Sequence, residues 1–273
     1  MTLDIAGCTH VGLKRSENQD QVFVKIFSRG AQTIGCLAVA DGMGGHEKGA
    51  DASNLAIATI QGKLEQWLLK EKREPTPQLC IDLEQAAHRA VKEIPSGNDV
   101  CGSTLSVALL VGDDCIVGHV GDSRVYTIQH GRLAQLTEDQ TWEAYSIKNK
   151  IENQHGKALL QAVGVDERIV PEAYSVKLAP GDWVLVCSDG LYKMVENKDV
   201  EEAFSGATSS TQVCEKLLEL ALSGGGRDNV GICVARCSES MPSLLRGNPT
   251  IAIAAVALVV MLLILSLIAL GKI

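Results

Sequence analysis

The stretch TIGCLAVADGMGGH, residues 33–46, sets the plan of this chain. From Ile34 to Ala40 no polar residue interrupts it. A strand with one wet face alternates, so this run predicts a strand covered on both faces. It leads into a glycine-rich loop, Asp41-Gly42-Met43-Gly44-Gly45-His46. A strand packed on both sides has a well-fixed end, so a carboxylate placed there is fixed too.

Working outward, residues 20–28 predict a partner strand before this one. Residues 50–70 and 77–94 carry apolar side chains at helical spacing, and Pro95 closes the second helix. Strands follow over 103–111, 115–120 and 124–129, with Gly112-Asp113-Asp114 and His130-Gly131 as turns. Residues 139–162 read as helix plus loop. Strands return at 173–178 and 182–187, then helices at 197–204 and 209–222, with Gly224-Gly225-Gly226 as a helix stop. A last strand covers 229–236. Paired helices in some blocks and consecutive strands in others predict an α+β fold. Its antiparallel sheets stack with helices outside, unlike a doubly wound sheet.

Three more aspartates share the placement of Asp41. Asp122 follows CIVGHVG, Asp189 follows WVLVCS, and Asp228 precedes NVGICVA. Singly, each is an ordinary turn residue, since Asp and Gly favour turns. Four such placements argue for one shared cleft. Converging carboxylates repel and do not stay ionised together unaided. A hard divalent cation with oxygen ligands, Mg²⁺ or Mn²⁺, relieves that repulsion. Two such ions can support in-line displacement at phosphorus without a nucleophilic side chain. Gly42 lets its carbonyl approach a metal, or simply serves a turn. Arg15, shortly before Asn18-Gln19-Asp20, can grip a phosphate through paired hydrogen bonds. Beside Lys14 it also reads as a solvated surface residue.

The composition narrows the class. The chain has 273 residues, and its 46% hydrophobic content suits an ordered domain. A net charge of −8 with no basic stripe excludes nucleic acid as an expected partner. Nine cysteines without a CxxC pair point to free thiols in a reducing, cytosolic compartment. No basic region followed by an apolar run opens the chain, so no signal peptide is expected. Residues 250–270 carry no charge and predict a single-pass transmembrane helix; a buried core helix is the alternative. The expected organisation is a catalytic domain over 1–238, a linker over 239–249 and a C-terminal anchor over 250–270, with the domain cytosolic.

Seven segments carry a resemblance: GLKRSENQD (12–20), VADGMGGHEKG (39–49), GSTLSVALL (102–110), GHVGDSRVY (118–126), AVGV (162–165), GDWVLVCSDGL (181–191) and GGRDNVGICV (225–234). In this order and at these separations the chain resembles the PPM-type (type 2C) metal-dependent Ser/Thr protein phosphatases, in their compact bacterial form. The resemblance implies a four-layer αββα sandwich and hydrolysis of phosphoserine and phosphothreonine in proteins by a hydroxide shared between two ions. It implies Asp41 as bridging ligand, the Gly42 carbonyl on the second metal, and Asp189 and Asp228 on the first. A third, weaker ion falls to Asp122 and Asp189, and the substrate phosphate to Arg15. Gln19 and Asp20 stand beside this set; the family often has Glu where Gln19 stands, which implies weaker binding of the second ion. Bacterial members often have His where Gln140 stands, which leaves the general acid undefined. His46 reads better as a buried or capping residue. Residues 141–160 match the family least and are expected to shape substrate choice. A Ser/Thr kinase and its phosphorylated substrates are the partners the family implies.

Overall fold

The computed structural model describes residues 2–44, 48–95 and 100–238. The expected linker and transmembrane helix, and His46, lie outside the described residues. Among the described residues no helix is long and apolar enough to cross a membrane.

In chain order the elements are β1 (Thr2–His10), β2 (Asp20–Arg29), β3 (Gln32–Gly44), α1 (Lys48–Lys70), α2 (Pro77–Lys92), β4 (Cys101–Ser103), β5 (Leu105–Val111), β6 (Asp114–Val120), β7 (Arg124–Gln129), β8 (Arg132–Gln135), α3 (Trp142–Asn149), β9 (Glu172–Lys177), β10 (Trp183–Cys187), α4 (Asp189–Tyr192), α5 (Asn197–Phe204), α6 (Ser210–Ser223) and β11 (Val230–Ser238). One sheet runs β1-β11-β10-β7-β8; the other runs β2-β3-β5-β6-β9, with β4 paired to the end of β3. Every pairing is antiparallel.

The period of two explains the layers. In β3, Ile34, Cys36, Ala38 and Ala40 point into a core shared with α1 and α2, including Ile60, Leu64, Leu83 and Ala87. The alternate residues Leu37 and Val39 join Ala108, Leu110 and Val117, and meet Val125, Val184, Val186 and Cys233 of the other sheet. That sheet turns Leu185, Cys187, Ile232 and Val234 outward onto Val200, Phe204, Val213 and Leu217 of α5 and α6. β3 is therefore buried on both faces, as its sequence predicts, and each sheet has one sheet neighbour and one helical neighbour.

The structure adds β4 and α4, which the sequence pattern does not mark, and departs from the pattern at the end of β3 and at two edge strands. β3 does not end at Ala40: Asp41 to Gly44 continue it, with Gly42 opposite Ser103 and Gly44 opposite Cys101. Asp41 and Gly42 therefore lie in a ladder and not in a loop. β1 and β8 were not expected. Both are edge strands whose residues are all at least partly exposed, so they lack the apolar signal that marks the interior strands.

Nine free cysteines are present, eight of them buried. Burial pushes the Cys36 thiol up to about 12 and Cys237 to about 11, so both are neutral packing groups. Glu84 breaks the apolar rule. It is fully buried on α2 against the backbone of Gly118, and neither carboxylate oxygen has a hydrogen-bond partner. Burial, then the charge of Glu172, raises its pKa well above the ordinary carboxylate range, so it is held neutral.

Candidate metal centre

The ends of five strands meet at one end of the sandwich. Asp20 opens β2 and faces Asp41 across the β2–β3 ladder. Asp122 lies where the chain leaves β6 to enter β7 in the other sheet. Asp189 starts α4 directly beyond β10, and Asp228 precedes β11. Stacking the two sheets is what gathers these residues.

Asp41 and Asp20 are braced by their neighbours. The Asp41 N–H donates to Thr104 Oγ1 at 2.9 Å, and its carbonyl accepts from the Thr104 N–H at 2.9 Å and from Ser103 Oγ at 3.0 Å. Ser188 Oγ donates to Asp20 Oδ2 at 2.5 Å while accepting from the Gly231 N–H at 2.9 Å. The glycines beside the aspartates serve close approach, since neither Gly42 nor Gly190 has a positive φ. A Cβ on Gly42 would lie 2.0 Å from the Gly49 carbonyl oxygen, and one on Gly190 would lie 1.8 Å from that of Asn229. Gly12 differs: its φ is +79, and a Cβ there would lie 2.2 Å from the Asp228 carbonyl oxygen.

The electrostatics follow from the gathering. Burial, then the charges of Asp20, Asp189, Asp122 and Asp228, raise the Asp41 pKa well above the usual carboxylate range. Burial carries Asp20 to about 7, against the lowering effect of its bond from Ser188. Burial and then Asp189 carry Asp122 to about 6, against the pull of Lys193. Burial and the neighbouring carboxylates thus press Asp20, Asp41 and Asp122 toward neutrality, as crowding does.

Two cations enter the cluster. Arg15 Nη2 lies 2.8 Å from Asp228 Oδ2, and that bond raises the affinity of Arg15 for its proton. Lys193 Nζ is ion-paired with Asp189 and lies 3.9 Å from Asp122 Oδ2. The Arg15 loop is tied down by Asn229, whose Nδ2 donates to the carbonyls of Val11 and Glu17 at 2.9 and 2.8 Å. Its Oδ1 accepts from the Gln19 N–H at 2.9 Å. Gln19 lays its side-chain amide against Gly49, near the start of α1.

The donor set suits a hard divalent ion. It is all oxygen, crowded and largely removed from water, and Asp20 Oδ1 is buried without a hydrogen-bond partner. Among the described residues, no three His, Cys, Asp or Glu side chains stand together at ligand spacing.

The structure brings together Asp20, Asp41, Asp122, Asp189 and Asp228 with Arg15. Sequence reading missed Lys193, Tyr192, Ser188, Thr104 and Asn229. Asn229 and Ser188 sit inside the RDN and SDG segments and were within reach of a closer reading. Lys193 carried no signal, because an exposed-looking Lys on a short helix resembles any surface residue. Gln140 is committed elsewhere: its Oε1 accepts from the Gly121 N–H at 2.8 Å, which fixes the turn before Asp122. His119 is fully buried between Ser106 Oγ at 2.9 Å and the Glu138 carbonyl at 3.0 Å, and burial lowers its pKa to about 4. In 141–160, Thr141 caps α3, its side chain accepting from the Ala144 N–H, and Trp142 packs on Tyr145 and His155.

Residues 8–220 match the family described as protein phosphatase 2C. The Ser/Thr protein phosphatase PstP of Mycobacterium tuberculosis is 31% identical over 86% of this chain and 45% of its own length. The chain thus spans about half the length of the first relatives it matches. Among solved structures, the PstP catalytic domain in complex with two manganese ions superposes with a TM-score of 0.72 at 30% identity, over 87% of this chain and 99% of that one. The Ser/Thr phosphatase of S. agalactiae does so with a TM-score of 0.74 at 26% identity, over 87% of this chain and 100% of that one.

Proposed function

The chain belongs to the protein phosphatase 2C family, and on that footing we propose that it removes phosphate from phosphoserine and phosphothreonine in proteins, at a membrane surface and with divalent metal ions. The observation that carries this reading is the crowding of Asp41 by Asp20, Asp189, Asp122 and Asp228 beside a tethered Arg15.

Asp41, Asp189 and Asp228, with the Gly42 carbonyl, are the groups that would hold two ions, Mn²⁺ or Mg²⁺. When bound, such ions neutralise the carboxylates, make water a nucleophile at neutral pH and stabilise charge on the phosphoryl oxygens. The remaining tasks fall to the chain itself. Arg15 binds the substrate phosphate through its guanidinium fork, and Asp228 and Asn229 set its position. Asp20 accepts from Ser188 and fixes the strand ends around Asp41. Residues 141–160, anchored through Gln140 and Thr141, flank the site and select among phosphopeptides.

The test is phosphate release from a phosphothreonine peptide by the full chain in detergent. Release is expected with Mn²⁺ or Mg²⁺, and is expected to stop with EDTA and in Asp189→Asn. Release that persists in EDTA would rule the reading out.

The membrane part rests on the uncharged apolar run over 250–270, and the cytosolic side on free cysteines. Tethering concentrates the enzyme near membrane substrates, for which a Ser/Thr kinase and its targets are the natural class. After cell fractionation the chain should stay in the pellet through a carbonate wash. Recovery in the wash would remove the anchor.

A further inference from the structure

Lys193 stands at the Asp122–Asp189 side of the carboxylate cluster. Its backbone N–H donates to the Asp189 carbonyl at 3.0 Å, so the root of the side chain is fixed at the end of α4. Its ammonium is ion-paired with the Asp189 carboxylate one turn back and lies 3.9 Å from Asp122 Oδ2. The two carboxylates are only 16% and 14% exposed, whereas Lys193 is 38% exposed. The surroundings hold the arrangement. Tyr192 Oη donates to the Asp122 carbonyl at 3.1 Å, and its ring lies under the Arg124 guanidinium at 3.6 Å. Arg124 is itself clamped by Asp139 through two bonds of 2.8 and 2.7 Å.

Asp122 and Asp189 are the pair to which the resemblance assigns a third, weaker ion. We propose that Lys193 takes the place of that ion: its ammonium is the built-in cation of the Asp122–Asp189 subsite, and the chain holds two divalent ions and not three. This rests on the two-ion reading of the site given above. A tethered cation is present at high local concentration without any loss of free ligand, so it competes well with a weakly held ion. A divalent ion entering beside it would meet like charge at contact distance. The subsite therefore does not fit a third ion while Lys193 is there; the two ions of the reading above fall to the crowded part around Asp41.

The experiment is a Mn²⁺ titration of the full chain in detergent, with bound ions counted from the paramagnetic resonance of the free ion. Wild type is expected to take up about two Mn²⁺ per chain. Lys193→Ala and Lys193→Gln are expected to take up about three, and Lys193→Ala/Asp122→Asn to return to about two. Lys193→Arg keeps the charge and is expected to stay with wild type. Circular dichroism of each variant confirms that it is folded. About three ions on wild type, with one lost in Asp122→Asn, would overturn this inference and leave the two-ion reading standing. So would an unchanged count in both neutral variants. Fewer than about two ions on folded wild type would overturn the two-ion reading and this inference with it.

Discussion

The side chain of Asn229 bonds to three points that lie 210, 212 and 218 residues away in sequence. One amide thereby does for the Arg15 loop what a sheet ladder does for a strand. Removing it as Asn229→Ala is expected to lower stability by about 3 kcal/mol, at about 1 kcal/mol per bond, as read in urea unfolding. Arg15→Ala should leave the fold intact, since Arg15 is largely exposed. It removes a charged hydrogen bond to phosphate, so kcat/KM on a phosphopeptide should fall roughly 10- to 100-fold. A fall of less than twofold would take Arg15 out of the phosphate site. Gln19 offers a change in the other direction. Its amide lies near the start of α1, where a carboxylate is favoured. Gln19→Glu is expected to lower the Kd for Mn²⁺, and an unchanged titration would show that position 19 does not feel the ions.

At the scale of elements, two glycines show why a residue type needs its place. Gly190 begins the packing of α4 on β11, and a Cβ there would stand 1.8 Å from a carbonyl oxygen. Gly190→Ala is expected to cost about 3 kcal/mol or more, because rigid backbone must move on both sides. Gly62, in the middle of α1, has nothing within 4 Å of its Cβ position. Gly62→Ala should stabilise the domain by about 0.5–1 kcal/mol, since it improves helix propensity without touching a neighbour. Thermal melts of the two variants should therefore move in opposite directions. The element boundaries were legible where the apolar pattern was strong, as in β3, β5 and α2. They were not legible for β1 and β8, where exposure leaves no pattern, or at Asp41, where pairing with β4 turns an apparent loop into strand.

At the scale of the molecule, Glu84 is a buried acid without a hydrogen-bond partner. Glu84 is neutral in the fold and ionised in the unfolded chain at neutral pH, so folding must take up a proton. The raised folded pKa means that its full contribution holds below the ordinary Glu range. The contribution is lost as pH rises from there toward the folded pKa. The slope is about 1.4 kcal/mol per pH unit within that window. Glu84→Gln removes the titration, so its gain in melting temperature over wild type should grow from pH 5 to pH 8. A constant difference across that range would mean that Glu84 finds a partner and is charged in the folded protein.

The sequence by itself determined the fold class and the family. An apolar strand must be covered, four strand-end aspartates must be compensated, and Asp-Gly pairs beside them leave room for close backbone contact. Those are properties of residue type and local pattern, which survive without coordinates. Which charges meet was decided only by the tertiary structure. Asp20 and Asp41 belong to one sheet and Asp189 and Asp228 flank strands of the other, so stacking sets Asp20 against Ser188, while the pairing of β1 with β11 and of β7 with β10 sets Arg15 against Asp228 and Lys193 between Asp189 and Asp122. Coulomb energy depends on separations of a few ångströms, and a linear sequence fixes no such distance between residues on different strands.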